Sequence, residues 1–383
     1  KQDVAAETEL FLALPPLNET EKKVWQLDQT INHRGFAVDR KLVTNALRMV
    51  KDETENLNRE TAELTNGLVT TTKQIATMAH WLKEHQNVEM ENVQAKTISD
   101  KLNDETLPPD ARRILKIRQE VSRTSTAKYH AFEMRSRSDG RVRDHLVYHT
   151  ASTGRWGGAG VQPQNFARGT VKNLTPAIAT ILEGDLEMLR FLYGDPMEVL
   201  SSAIRSAIIP SPKKEFFCAD YASIEVRVLF WVAEHASGLR AFENDADLYR
   251  AMAAQIYNIN YEENVTKEQR EIGKRAIFGC GYGMCKVKFR DTCIHYGQEV
   301  SEDLAAKAVA VYREVHNPVV KLWANLESAA LRAIRNPGKI FAINRTKWYV
   351  QGKFLYCELP STRRLAYYWP TIRNTETSWG ERK

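Results

Sequence analysis

REIGKRAIFGCGYGM, residues 270–284, sets Arg270, Lys274, Phe278 and Tyr282 at successive four-residue steps. On an α-helix this spacing drifts only about 40° per step, so two cations and two aromatic rings share one face. Such a face can grip a triphosphate by charge-assisted hydrogen bonds at one end and stack a nucleobase at the other. A plain amphipathic helix has the same periodicity. However, Gly273, Gly279, Gly281 and Gly283 each cost about 1 kcal/mol relative to Ala inside a helix, which predicts that something must approach closely. GCGYG falls late in a helical pattern rather than in a strand-to-helix turn, and GRWGGAG, residues 154–160, lacks the Lys-Ser/Thr of a phosphate-binding P-loop.

Upstream, EFFCADYASIEVRVLFWVAEH (residues 215–235) predicts a buried strand over Phe216–Ala219 and an apolar helix over Ile224–Val232, with Asp220 at the strand's end. Taken alone, Asp220 reads as a helix N-cap and Arg227 as half of a structural ion pair. Six glycines and prolines between 150 and 170 predict an irregular loop able to approach a ligand. Residues 20–66 read as helical, with Leu42, Val43, Ala46, Leu47, Val50 and Leu57 in register and Gly67 as terminator. A second amphipathic stretch carries Ile75, Met78, Ala79 and Leu82, and Leu107–Arg113 opens another helix. Residues 240–335 read as mostly helical, and the β-branched and aromatic run around Gly352 predicts a hairpin.

The chain has 383 residues, 43% hydrophobic and 27% charged, a globular composition sufficient for two or three units. No apolar run reaches the roughly 18 residues of a membrane span, and no basic-then-apolar leader marks the N-terminus. The first residue is Lys rather than Met, which suggests trimming. Five cysteines without a CxxC pair predict a reducing compartment. Cys280, Cys285, Cys293 and His295 match no common zinc spacing and read as ordinary thiols and a histidine. The formal net charge is +6, yet residues 112–172 hold thirteen Lys/Arg against four Asp/Glu. A basic tract of that density suits a phosphate-facing surface, although a solvated helix face would look alike.

Three stretches in order carry a family likeness. DYASIEVR at 220–227 resembles motif A of family A DNA polymerases, the RxxxKxxxFGxxYG pattern at 270–283 resembles their motif B, and TGRWGGAGVQPQN at 153–165 resembles their TGR...QN segment, above all in phage-type members. The resemblance covers most of the chain. It implies an α+β right-hand architecture of thumb, palm and fingers, mostly helical with an antiparallel palm sheet: a palm-proximal segment over 1–41, thumb over 42–137, palm over 138–233 and fingers over 234–383. It implies template-directed DNA synthesis from dNTPs on a primer-template, with two Mg²⁺ ions held by Asp220 and the carbonyl of Tyr221.

By the same likeness Glu225 is the steric gate against ribonucleotides, bonded to Tyr282. Arg270 and Lys274 hold phosphates, Lys274 also passing a proton to the leaving group, and Phe278 packs beside sugar and base. Arg155, Gln164 and Asn165 touch the duplex near the primer end, and Arg112, Arg113, Arg118, Arg123 and Lys128 grip its phosphates. The sequence departs from the pattern at Ala222 and Ser223, where Ser and Gln are usual, and at Tyr249, where many relatives have His. It contains no His-Asp dipeptide of the kind that marks motif C, so the palm is expected to be incomplete and the chain inactive alone. The remainder of the polymerase or a second polypeptide would then supply the missing carboxylate, and any exonuclease domain would lie outside the chain. The expected setting is a monomer in the cytoplasm of a bacterium or phage-infected cell. The rival readings are a catalytically dead DNA-binding replication scaffold and an RNA-synthesising relative.

Overall fold

The computed structural model describes residues 2–14, 16–123, 125–260 and 264–373. The chain divides into two compact units, one ending at Phe217 and the other beginning at Cys218.

In the first unit, Asp39 caps the long helix Arg40–Leu64 by accepting from the Leu42 N–H at 3.0 Å. Of the expected apolar register Leu42, Val43, Ala46 and Leu57 are buried, Leu47 and Val50 are half-buried, and Met49 is a further buried position. They pack with Tyr129, Phe132, Leu200 and Ile204. The chain leaves this helix through Gly67, whose φ of +79° is a left-handed value that glycine adopts without steric cost. A separate apolar cluster joins Met78, Trp81 and Leu82 of the helix Ile75–Gln86 to Ile114 and Leu115 of Pro109–Val121. Three short antiparallel strands, in the order Arg141–Val142, Phe36–Val38 and Ile208–Ile209, pair Phe36 with Val142 and Ala37 with Ile209.

The second unit is a helical body with one sheet. Ile224–Val232, Leu248–Tyr257, Lys267–Gly281, Lys286–His295, Glu302–Val315 and Asn317–Arg335 surround a core of Phe230, Ile272, Ile277, Phe289, Tyr312 and Leu322. The expected hairpin is part of a four-stranded antiparallel meander: Phe341–Ile343, Thr346–Gln351, Phe354–Glu358 and Arg364–Tyr368. Gly352, at φ +60°, makes its central two-residue turn.

Phe216–Ala219 is not a strand. All four residues are exposed, Phe217 to 90%. An extended segment becomes a strand only when a neighbour satisfies its backbone N–H and C=O groups, and among the described residues no strand pairs with it. The loop over 150–170 does contain regular structure: Gly157–Gly158 pairs antiparallel with Leu146–Val147, and Pro163–Asn165 forms one turn of 3₁₀ helix. Its glycines serve packing within the chain. A Cβ on Gly158 would lie 2.9 Å from the Gln164 side-chain oxygen, and one on Gly160 would lie 2.2 Å from Arg135 Nε. Among the described residues no helix is long and apolar enough to cross a membrane.

A buried histidine pair closes the core of the second unit. His235 Nε2 and His316 Nδ1 are 2.9 Å apart, so one donates to the other, while His235 Nδ1 accepts from the Gly238 N–H and caps the helix Ala236–Glu243. Burial first, and the neighbouring His235 second, push His316 down to about 4 from an ordinary value of 6.5; burial also lowers His235. The unfolded chain therefore binds protons that the folded chain refuses. The stability this confers is present above 6.5 and is lost as pH falls towards 4. The melting temperature is expected to drop across that window in differential scanning calorimetry, and His316→Asn should flatten the slope.

Candidate nucleotide site

Thr266 and Gln269 form a reciprocal capping box that starts the helix Lys267–Gly281. Four residues per step then carry Arg270, Lys274 and Phe278 along one half-buried face, and Tyr282, 74% exposed, lies just past the helix end as its cap. Gly273 explains the close approach its composition predicts. A Cβ there would sit 2.1 Å from the Tyr249 carbonyl oxygen and 2.8 Å from the Ala253 nitrogen, both backbone atoms of the neighbouring helix Leu248–Tyr257.

That contact fixes what surrounds the cations. Asp247 accepts from the N–H groups of Tyr249 and Arg250, both at 3.1 Å, and thereby caps its own helix. Its other oxygen accepts from Arg270 Nε at 2.6 Å. Burial opposes the charge on Asp247, but the Arg270 guanidinium and the backbone donors win and hold its carboxyl below the ordinary value; the same bond raises Arg270. The Arg270 guanidinium also lies 5.2 Å from the Tyr249 ring centroid. Glu271 stands among Arg270, Lys274 and Arg275, 3.9 to 4.0 Å from each.

The Asp220 stretch leads into the helix Ile224–Val232. Its N-cap is Ser223, in the left-handed region at φ +54°, with no side-chain cap bond. Asp220 is therefore not the N-cap: it lies three residues upstream on exposed backbone, next to Tyr221, which is 80% exposed. Arg227 makes no ion pair among the described residues. Its Nε donates to the Ala222 carbonyl at 2.9 Å and its guanidinium sits 4.1 Å from the centre of the Phe242 ring. The two helices meet at a cavity of about 140 Å³ lined by Glu225, Val226, Leu229, Ile277, Phe278, Gly281 and Tyr282. Glu225, Phe278 and Tyr282, which sequence grouped by likeness, are thus brought together around one space, whereas Asp220 and Tyr221 are not among its lining.

Two side chains given no role from sequence join these elements. Ser223 Oγ and Tyr249 Oη are 2.6 Å apart, and the Tyr249 ring lies 5.8 Å from Phe278. Both occupy positions that depart from the family pattern, and two departures that can hydrogen-bond each other are the signal that could have linked them. Asp247 left no such signal beyond its place ahead of an apolar helix. No group of three His, Cys, Asp or Glu side chains suited to a metal occurs among the described residues. Cys280 and Cys293 are buried thiols, raised by burial to about 12 and about 11, while Cys285 is exposed.

In the first unit, Arg155, Gln164 and Asn165 are exposed on one loop. Asn165 Nδ2 and Lys128 Nζ converge on Gln162 Oε1 at 3.2 and 3.4 Å. Several cations of the basic tract have partners within the chain. Arg113 makes two bonds of 2.6 Å to the Glu60 carboxylate and one of 3.1 Å to Glu120, Arg112 donates to the carbonyls of Leu102 and Asp104, and Arg123 pairs with Asp195 at 2.9 Å. The Nε of Arg118 is buried and has no hydrogen-bond partner among the described residues. Lys116, Arg135 and Arg168 are exposed.

A family model described as DNA polymerase family A matches residues 40–335. The chain belongs to DNA polymerase family A. It is 32% identical over 362 residues to the DNA polymerase of Bacillus phage SP02, covering 94% of this chain and 55% of that protein. It is 39% identical over 82 residues to DNA polymerase I of Geobacillus stearothermophilus, which is 21% of this chain and 9% of that enzyme. The chain thus spans about half the length of its phage relative. Among solved structures, the POL domain of Pol1 from M. smegmatis, determined with DNA primer-template and dNTP, matches with a TM-score of 0.56 at 16% identity over 79% of this chain and 48% of that one. The mostly helical α+β fold with small antiparallel sheets is therefore that of a family A polymerase domain.

Within this family A chain, Gly273→Ala should force the two packed helices apart and cost about 1–3 kcal/mol. Thermal denaturation should register the loss as a lower melting temperature, because both opposing atoms belong to the backbone and cannot swing away.

Proposed function

We propose that the chain belongs to an enzyme of template-directed DNA synthesis, in which a primer 3′-oxygen attacks the α-phosphorus of a dNTP. A new phosphorus–oxygen bond forms as the 3′-hydroxyl gives up its proton to water, the bond to the β-phosphate bridge breaks, and pyrophosphate leaves. The observation that carries this reading is the cavity where Glu225 of one helix faces Phe278 and Tyr282 of the other, with Lys274 and Arg270 one and two turns back along the second helix. In this reading the sugar and base occupy the ring end, Glu225 crowds the ribose 2′ position, and the cations receive the phosphates. Arg270, bonded to Asp247 through Nε, turns its remaining N–H groups to them. Lys274 Nζ gives the departing pyrophosphate a proton.

The exposed Asp220 carboxylate and the Tyr221 carbonyl are hard oxygen donors, which suits a divalent cation such as Mg²⁺. When bound, two such ions supply activation of the 3′-hydroxyl and neutralisation of the leaving group. One carboxylate holds two hard cations poorly, so we infer that this chain by itself binds primer-template and dNTP but extends slowly or not at all until another segment or polypeptide adds a second carboxylate. Helices within 42–137 serve as thumb, 138–233 as palm and 234–383 as fingers, working as a monomer inside a bacterial or phage-infected cell. Duplex phosphates meet the exposed Lys116, Arg135 and Arg168 together with the primer-end loop of Arg155, Gln164 and Asn165. The arginines at 112, 113 and 123 act from behind, since their charge is already shared with carbonyls or carboxylates.

Primer extension by the longest available form of the protein tests this. Extension abolished by Asp220→Ala, with duplex binding retained, is the expected result; duplex binding with no extension by that longer form would favour a replication scaffold. Glu225→Ala should raise ribonucleotide incorporation relative to deoxyribonucleotide by at least about ten-fold, read in single-nucleotide kinetics. Unchanged discrimination would remove Glu225 from the gate.

A further inference from the structure

The four-stranded sheet of the second unit has two unlike faces. Leu355 and Cys357 are buried on the face against the helix Asn317–Arg335, where Arg332 covers the Phe341 ring at 4.5 Å. Side chains alternate across a strand, so Tyr349, Phe354, Tyr356 and Tyr368 point the other way. Their rings form an unbroken series: Tyr349 to Tyr356 at 5.6 Å, Tyr356 to Phe354 at 5.9 Å and Phe354 to Tyr368 at 5.2 Å. Trp369 extends it at 6.1 Å. Tyr368 and Trp369 are 65% and 59% exposed, a poor place for large rings unless they meet something.

Cations bracket the series. Arg364 lies 5.9 Å from the centres of both Tyr349 and Tyr356, and Lys353 lies 5.3 Å from that of Trp369. Residues 336–373 contain seven Lys/Arg and a single acid, Glu358. On the outward face that acid stands between Lys347 at 2.9 Å and Arg364 at 4.0 Å, which leaves the face one cation in excess, with Lys353 adding a second beside Trp369. Aromatic rings interleaved with cations on an open sheet suit flat anionic polymers: the rings stack on unpaired bases and the cations meet phosphates. A duplex keeps its base faces stacked on one another, which leaves nothing for a row of rings to cover.

We propose that this outward sheet face binds single-stranded DNA. The site is distinct from the nucleotide cavity, so it stands or falls independently of the catalytic reading. Fluorescence anisotropy on the full chain, with a labelled oligothymidylate and a labelled blunt duplex, tests it. Combining Tyr368→Ala with Arg364→Ala should weaken oligothymidylate binding by about ten-fold or more while duplex affinity stays within about two-fold; Arg364→Ala alone should lower the salt slope for the single strand by about one. Equal losses for both ligands, or none for the single strand, would overturn the proposal. Photocrosslinking a 5-iodouracil oligonucleotide to the unaltered chain gives a readout free of any folding defect. Adducts within residues 346–369 are expected, and adducts confined to other segments would also overturn it.

Discussion

Helices of ordinary composition keep their axes 8–10 Å apart because side chains stand between them. At Gly273 no side chain does, and the backbone of Leu248–Tyr257 comes so near that even a methyl group would collide with a carbonyl oxygen. Much of the candidate site follows from this one approach. It brings Asp247 to Arg270, sets the Tyr249 ring beside both Arg270 and Phe278, and lets the Tyr249 hydroxyl reach Ser223 at the head of the next helix. Those contacts belong to three separate stretches of sequence, and none could form alone if the helices moved apart. Ser223 also carries a positive φ, a conformation that costs of order 1–3 kcal/mol for a non-glycine residue; its hydroxyl bond to Tyr249 is one of the interactions that offset it.

The electrostatics follow a common rule in both units: cations sit beside acids that fix their direction. Glu271 spaces three basic side chains on one helix, Asp247 orients Arg270, and Glu60 with Glu120 clamps Arg113 between helices. An arginine with a carboxylate behind it is held in one rotamer and loses less entropy when an anion arrives in front, whereas an unrestrained one pays for ordering at that moment. Dense basic sequence is for this reason an unsafe guide to where an anionic polymer lies. Half of such a tract can be scaffolding.

Helical periodicity was readable wherever an apolar stripe met its own core, as in Arg40–Leu64 and Ile224–Val232, and the capped helix bearing Arg270, Lys274 and Phe278 was legible to within a turn. What escaped the sequence depended on partners elsewhere in the chain. Phe216–Ala219 has the composition of a buried strand, but composition cannot supply the neighbouring strand on which a ladder depends. Arg227 found a carbonyl and a ring rather than an acid, a choice set by geometry five and fifteen residues away. The glycines at 158 and 160 looked like room for a ligand and are instead room for Gln164 and Arg135. The union of Ser223 with Tyr249 is invisible in either departure from the family pattern alone, because 26 residues of chain separate the two hydroxyls.

The first hairpin turn of the sheet, Asn344 and Arg345, is bound to the end of the helix that carries Glu225. Asn344 Nδ2 donates to the Val232 carbonyl at 3.0 Å, Arg345 Nε donates to that of Trp231 at 3.2 Å, and the Arg345 guanidinium rests over the Trp231 ring at 4.2 Å. These bonds satisfy carbonyls that every helix leaves orphaned at its C-terminus. They also anchor the meander to one end of the helix whose other end, two turns away, bears Glu225, so the sheet and the wall of the cavity share one rigid element.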